Sequence, residues 1–313
     1  MNYKIKNYLS LVKFAHTIFA MPFALIGFFL GSYWYPAEKM RIEALKTHNS
    51  LSIYITPSWK LLGLIILCMV FARSAAMAFN RWLDKKFDAL NPRTAIREIP
   101  AGIISEKNAL IFIVVNCIAF IICTFFINTI CFALSPVALF VILFYSYTKR
   151  FTALSHLVLG LGLSLAPIGA YLAITGMFDL LPLLFSFTVL FWVSGFDIIY
   201  ALQDEEFDKA NNLFSIPSVL GKVNALRVSE ALHFLSTICV IAAGFYGHLG
   251  WIYWIGVGFF ILLLIYQHTL VKPDNLSKVN LAFFTTNGIA SVIFCTFVIA
   301  DLFINNHPYL LGN

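Results

Sequence analysis

Long runs of apolar residues, broken by short polar stretches, fill almost the whole chain. A helix needs about 20 apolar residues to cross a bilayer. Nine runs are of that length: 9–33, 60–82, 107–128, 130–148, 154–174, 180–202, 225–247, 250–271 and 281–303. The third and fourth meet so closely around Asn128 and Thr129 that their boundary is blurred. Gly and Pro occur inside several runs, as membrane helices tolerate when neighbours satisfy the freed backbone groups. The first run is too long for a signal-peptide core and has no small-residue cleavage site, so it is expected as a retained first span. The pattern predicts an all-α membrane protein of nine transmembrane helices, read as one polytopic domain over 1–313. A polar loop over 34–59 is expected outside, with a short helix at 37–46 and no chemistry of its own.

Composition removes the other classes. The 313 residues are 60% hydrophobic and 12% charged, against roughly 25% charged in a soluble domain. A net charge of +6 raises nucleic acid as a partner, but its distribution argues for none. With the N-terminus inside, 16 of the 21 Lys and Arg fall in cytoplasmic segments. Lys39, Arg41, Lys46 and Lys60 lie outside, and Arg73 lies within a span. That asymmetry orients the chain with its N-terminus cytoplasmic and its C-terminus outside. The two long inner loops are then 83–106 and 203–224, and both are expected to be active-site loops. The six cysteines are scattered in apolar spans without metal-ligand spacing, as small core residues are.

Each long inner loop follows an acidic stripe. Asn80-x-x-x-Asp84-x-x-x-Asp88 ends the second run, and Tyr200-x-x-x-Asp204-x-x-x-Asp208 ends the sixth. Steps of four set each stripe on one helix face. The offset of 120 between them also aligns Phe87 with Phe207, a weak repeat of four spans plus four with a ninth appended. Two such halves, facing each other, would bring the stripes together over a central cavity. Neither stripe contains a matching lysine, so converging Asp84, Asp88, Asp204 and Asp208 point to Mg2+ and, through it, to a diphosphate. The alternative is two solvated helix ends. Arg93, Arg97, Tyr147, Lys149 and Arg150 are the candidates for phosphate contacts. Arg73 lies seven residues before Asn80, about 10 Å deeper on the same face. A guanidinium there needs a carboxylate. It is either Asp197, seven residues before Asp204, or the acid group of a substrate. His16 and His156 show no partner and are expected as packing or interfacial residues.

These motifs resemble the UbiA superfamily of intramembrane prenyltransferases over nearly the whole chain apart from 34–59. Its two signatures are similar to Asn80-x-x-x-Asp84-x-x-x-Asp88 and to Asp197-x-x-Tyr200-x-x-x-Asp204-x-x-x-Asp208, supported by Arg93-Thr94 and Tyr147-Thr148-Lys149-Arg150-Phe151-Thr152. The resemblance implies nine helices around a central cavity with a lateral opening for the prenyl tail, and magnesium-dependent prenyl transfer. Lys13-Phe-Ala-His-Thr-Ile-Phe-Ala-Met-Pro-Phe-Ala and Ile96-Arg-Glu-Ile-Pro-Ala-Gly look like a bacterial branch described as 4-hydroxybenzoate polyprenyltransferase-like. Some members of that branch are thought to prenylate 1,4-dihydroxy-6-naphthoate. The resemblance implies that Asp84, Asp88, Asp204 and Asp208 hold magnesium. Asn80, Arg93, Lys149 and Tyr147 would bind diphosphate, and Arg73, Asp197 and Tyr200 would face the acceptor. Residues 211–215, Asn-Asn-Leu-Phe-Ser, depart from relatives that carry a glycine and a polar or basic residue there.

The resulting expectation is a bacterial inner-membrane enzyme with its active site facing the cytoplasm. Its partners would be a polyprenyl diphosphate donor, a small aromatic acid acceptor and the lipid bilayer, with ubiquinone or menaquinone as the product route. Farnesyl transfer to haem is the nearest enzyme alternative and needs room for a macrocycle. An ion-coupled transporter is the alternative from another class, but its carboxylates belong nearer the bilayer midplane.

Overall fold

The computed structural model describes residues 3–12, 20–39, 42 and 58–305, which are helices and connecting turns with no β-strand. The helices are α1 (Tyr3–Leu11), α2 (Met21–Phe29), α3 (Trp59–Leu83), α4 (Lys85–Leu90), α5 (Glu106–Ile127) and α6 (Thr129–Thr148). They continue with α7 (Ser155–Thr175), α8 (Leu180–Ala201), α9 (Glu205–Ala210), α10 (Ile216–Tyr246), α11 (Trp251–Leu270) and α12 (Asn287–Asn305). Wider π turns extend α2 over Leu30–Trp34 and lead into α12 over Leu281–Thr286.

Among the described residues, eight helical stretches are long and apolar enough to cross a membrane, and they match the second to ninth runs of the sequence. The protein is therefore an integral membrane protein. The first run is described only in part: 13–19, His16 included, lie outside the described residues, as do 40–41 and 43–57; of the helix expected at 37–46, residues 37–39 and 42 are described and are helical. One boundary differs clearly. The seventh run was expected to become helical at 225, yet α10 starts at Ile216. Ser215 and Ser218 form a reciprocal capping box there and Pro217 occupies the first turn, so local chemistry starts the helix before the apolar run begins. Gly221, at φ 75°, then kinks it.

Lipid is as apolar as leucine, so membrane helices associate through close packing and hydrogen bonds. Glycines set the closest approaches. A Cβ on Gly27 would stand 2.0 Å from the Pro167 carbonyl oxygen, and one on Gly160 would stand 2.4 Å from that of Leu190. The first contact locks α2 against α7 and the second locks α7 against α8. Helix α8 also packs along α10, and α12 closes against α11 and α2. Between them Phe23, Trp192, Phe260 and Phe294 form a buried aromatic core, with Trp192 and Phe260 centroids 5.8 Å apart. Helices α3, α5 and α6 form a second group beside α7. Asn128 resolves the blurred boundary: its Oδ1 accepts from Cys131 N–H, capping α6, while its amide donates to the Leu172 carbonyl, each at 2.8 Å. Buried Asp301 on α12 accepts from the Gly250 and Tyr253 N–H groups at 2.7 and 3.1 Å, placing a carboxylate at the positive end of α11. Outward faces carry exposed Phe125, Phe140, Phe245 and Trp251, as a lipid-facing surface requires.

Candidate active site

Both acidic stripes bend at their middle carboxylate. Asp84, with φ −91° and ψ 5°, ends α3 and precedes α4; Asp204, with φ −104° and ψ 4°, precedes α9. The single straight helix face expected for each stripe is therefore corrected. Helix α3 stops at Asp84, α8 stops at Ala201 with a tight turn over Leu202–Asp204 after it, and the short helices turn across the mouth of a cavity, held there by ion pairs.

Neither stripe supplies a base to its own carboxylates, but residues expected as phosphate contacts pair with them here. The bases come from outside the stripes. Arg150 Nη2 donates to Asp84 Oδ1 at 2.9 Å, and Asn80 Nδ2 donates to Asp84 Oδ2 at 3.2 Å. Arg97 Nη1 reaches both Asp88 oxygens at 2.8 and 2.9 Å. Arg93 grips Asp204 with Nε and Nη2 and donates from Nη1 to the Tyr200 hydroxyl at 2.9 Å. Lys149 Nζ lies 2.7 Å from Asp208 Oδ1, and Asp208 is fully buried. Burial pushes the Asp84 carboxyl up to about 6; Arg150 opposes the rise and Asp88 adds to it.

The loop after α4 is built to carry these bases. The Asn91 side chain accepts from the Arg93 N–H at 3.0 Å and donates to Asp204 at 3.3 Å. Thr94 Oγ1 donates to the Asp88 carbonyl at 3.1 Å. Behind the loop, buried Arg81 and Ser10 both bond Glu98. In the second loop the Phe214 N–H donates to the Lys149 carbonyl at 2.8 Å, and Asn212 adopts φ 54°. The divergent 211–215 stretch thus ties itself to the α6–α7 turn.

The cavity has a volume of about 280 Å³. Asn80, Asp84, Asp88, Arg93, Arg97 and Lys149 line its mouth with Asp204, and Arg73, Tyr145, His156, Asp197, Tyr200 and Phe283 line it further in. Asp208, Arg150 and Tyr147 do not line it. Asp208 stands behind Lys149, and Arg150 stands behind Asp84. Tyr147 is exposed and packs on Phe151, so its expected diphosphate contact is not formed. Helical spacing explains this: Tyr145 and Lys149 share a face four residues apart, and Tyr147 lies on the other side.

The Arg73–Asp197 alternative is also corrected. Asp197 Oδ2 lies 2.7 Å from His156 Nδ1, so the histidine expected to be without a partner has one. Arg73 has no ion pair among the described residues, and its buried Nε meets no hydrogen-bond partner. Sequence reasoning also missed Asn91, Tyr145 and Phe283. Tyr145 was available from its spacing to Lys149. Phe283 packs on Tyr200 with ring centroids 4.2 Å apart and planes tilted by 30°, and carried no signal in the sequence.

The chain belongs to the UbiA prenyltransferase family, whose sequence pattern matches residues 49–289. It is 29% identical over 243 residues to a 4-hydroxybenzoate octaprenyltransferase of Francisella tularensis subsp. novicida (strain U112), covering 78% of this chain and 85% of that one. The apo structure of a UbiA homolog from Aeropyrum pernix K1 matches with a TM-score of 0.77 at 29% identity, over 91% of this chain and 98% of that one. A UbiA homolog from Archaeoglobus fulgidus bound to GPP and Mg2+ matches with a TM-score of 0.72 at 18% identity, over 95% of this chain and all of that one. The last likeness speaks for the fold.

Proposed function

We propose that this prenyltransferase moves a polyprenyl chain from its diphosphate to an aromatic acid, 4-hydroxybenzoate or a dihydroxynaphthoate, in quinone biosynthesis. The observation that carries the reading is Arg73: a half-buried arginine with a buried, unpartnered Nε, lining the same cavity as Asp197, is a receptor for an acceptor's carboxylate. The naming of the Francisella relative as a 4-hydroxybenzoate octaprenyltransferase agrees with it.

Asp84, Asp88 and Asp204 line the cavity and would hold Mg2+, whereas Asp208, expected as a fourth ligand, is fully buried outside the cavity and holds Lys149 instead. The donor set fits, being hard oxygen throughout. Among the described residues no three His, Cys, Asp or Glu side chains gather closely enough to enclose a metal alone. Such a site suits an ion that keeps water and phosphate oxygens in its shell. When bound, magnesium supplies charge neutralisation on the leaving diphosphate. Arg93 and Arg97 exchange their carboxylate partners for diphosphate oxygens, Lys149 adds its charge to the cavity while staying on buried Asp208, and Arg150 and Asn80 hold Asp84 in place. Tyr200, Phe196 and Phe283 present aromatic faces to the allylic carbon and keep water from it. Asp197 orients the acceptor hydroxyl and takes its proton.

The topology that goes with this reading has nine spans in one domain, four plus four with one appended. The N-terminus and the acidic mouth face the cytoplasm of a bacterial inner membrane. The shared bends at Asp84 and Asp204 support the repeat.

The test uses membranes containing the protein, with magnesium and a polyprenyl diphosphate, offering 4-hydroxybenzoate and 1,4-dihydroxy-6-naphthoate separately. A prenylated aromatic product from one of them is expected, and Arg73→Leu should raise the KM for that acceptor about tenfold or more with little change for the donor. Diphosphate release without either product would remove the acceptor assignment.

A further inference from the structure

His156 sits at the start of α7, its side chain 5% exposed, between α8 and the first residue of α10. Nδ1 faces Asp197 Oδ2 at 2.7 Å, and Nε2 faces the Ile216 backbone N–H at 3.4 Å. A backbone N–H donates and cannot accept, so Nε2 must present its lone pair. The ring proton is then on Nδ1 and is donated to the carboxylate. With its Nε2 lone pair held at the Ile216 N–H, the ring aims its Nδ1 donor at Asp197. One Asp197 oxygen is fixed in this way, while the side chain, 22% exposed, still lines the cavity.

Three further contacts make the arrangement rigid and connect it to the other substrate. The His156 carbonyl accepts from Ser194 Oγ at 3.1 Å, and Gly160 presses α7 onto α8 within one turn of it. Ile216 begins α10 directly after the segment that carries Asp204 and Asp208, and Ser215, which caps the helix, lines the cavity. One ring therefore touches both the carboxylate assigned to the acceptor and the end of the segment assigned to the donor.

We propose that His156 is a positioning residue that aims Asp197 at the acceptor hydroxyl while the 204–215 segment is seated. This rests on the acceptor role given to Asp197 above. In the transfer, the acceptor O–H proton passes to the free Asp197 oxygen. The bond from the prenyl carbon to the diphosphate oxygen breaks, and the prenyl carbon bonds to the ring carbon beside the hydroxyl. That ring carbon then loses its proton to the departing diphosphate, and the Asp197 proton returns to the phenolate oxygen. His156 keeps its Nδ1 proton throughout.

The experiment is steady-state kinetics in magnesium-containing membranes with the full chain, varying acceptor and donor separately, for His156→Phe and His156→Gln. Phenylalanine fills the space without a donor or acceptor; glutamine offers an amide N–H toward Asp197 and an amide oxygen toward Ile216. His156→Phe should lower kcat/KM for the acceptor by about 10- to 100-fold, with the donor KM within about twofold, and His156→Gln should recover most of the loss. Equal loss in both variants, no loss in His156→Phe, or a loss falling equally on the donor would each overturn the proposal. Should His156→Phe not accumulate as folded protein, His156→Asn, too short to reach both partners, takes its place with the same expected split. Parent protein that forms no aromatic product refutes the function itself. Parent activity with unaltered acceptor kinetics in the variants refutes only the role of His156.

Discussion

Asp88 takes its base from Arg97, nine residues along the chain, whereas Asp204 takes its base from Arg93, 111 residues back. The first acidic segment is largely self-contained: Arg97 and Thr94 tie its loop to Asp88, and Arg81 with Glu98 holds the loop from behind. The second has neither base of its own. Arg93 crosses from the first loop, and Lys149 crosses from the α6–α7 turn. One segment is stabilised by local contacts, and the other is completed only when distant helices meet. The neighbours Lys149 and Arg150 divide between them, serving Asp208 and Asp84 respectively. The site therefore reports on the packing of distant helices mainly through its second segment.

If both segments grip one metal–diphosphate, Asp84→Ala and Asp204→Ala should each reduce prenyl transfer by about 10³-fold or more at equal amounts of membrane protein. Near-normal rates in both variants would dissolve the pairing of the segments. Stability should separate them. Lys149→Ala strands a fully buried carboxylate and is expected to cost about 3 kcal/mol in detergent-solubilised protein. Arg97→Ala leaves a carboxylate whose side chain keeps 8% exposure and can still meet water, and should cost less, about 2 kcal/mol. Equal losses would argue that the two segments are held alike.

Asp84 gives a subtler test. Its folded-state value of about 6 lies above the ordinary 3.8, so the folded protein holds more protons between these values. The cost of the buried charge is thus felt fully above about pH 6 and fades as pH falls toward 3.8. Without divalent cation, Asp84→Asn should be more stable than the parent at pH 7.5 by about 1–3 kcal/mol, and equal to it near pH 4. A constant difference across that range would mean that Asp84 keeps an ordinary carboxyl. The smallest effect belongs to Tyr147→Ala: transfer rates should stay within about twofold, since the ring packs on Phe151 outside the cavity.

Hydrophobic run length alone placed seven of the helices that match the later runs to within about two residues, because the bilayer fixes that length. It failed at α10, where a capping box and not hydropathy decides the start. The acidic and basic residues at the mouth were legible from type and spacing. Their pairing was not, since Arg93 meets Asp204 only through the packing of distant helices. His156 and Asp197 meet because Gly160 lets α7 and α8 approach closely, a fact that no single segment contains. The Tyr145–Tyr147 exchange was decidable from helical spacing.

The π turn over Leu281–Thr286 closes its backbone ring with one residue more than an α turn. Remove that surplus residue and the ladder can reclose as ordinary α-helix, rotating everything on one side by about 100°. Phe283 would then swing off Tyr200 although every cavity side chain remained in the sequence. Chain length at this turn is thus an adjustable screw on the aromatic wall. A one-residue deletion there would alter the shape of the cavity without changing its chemistry.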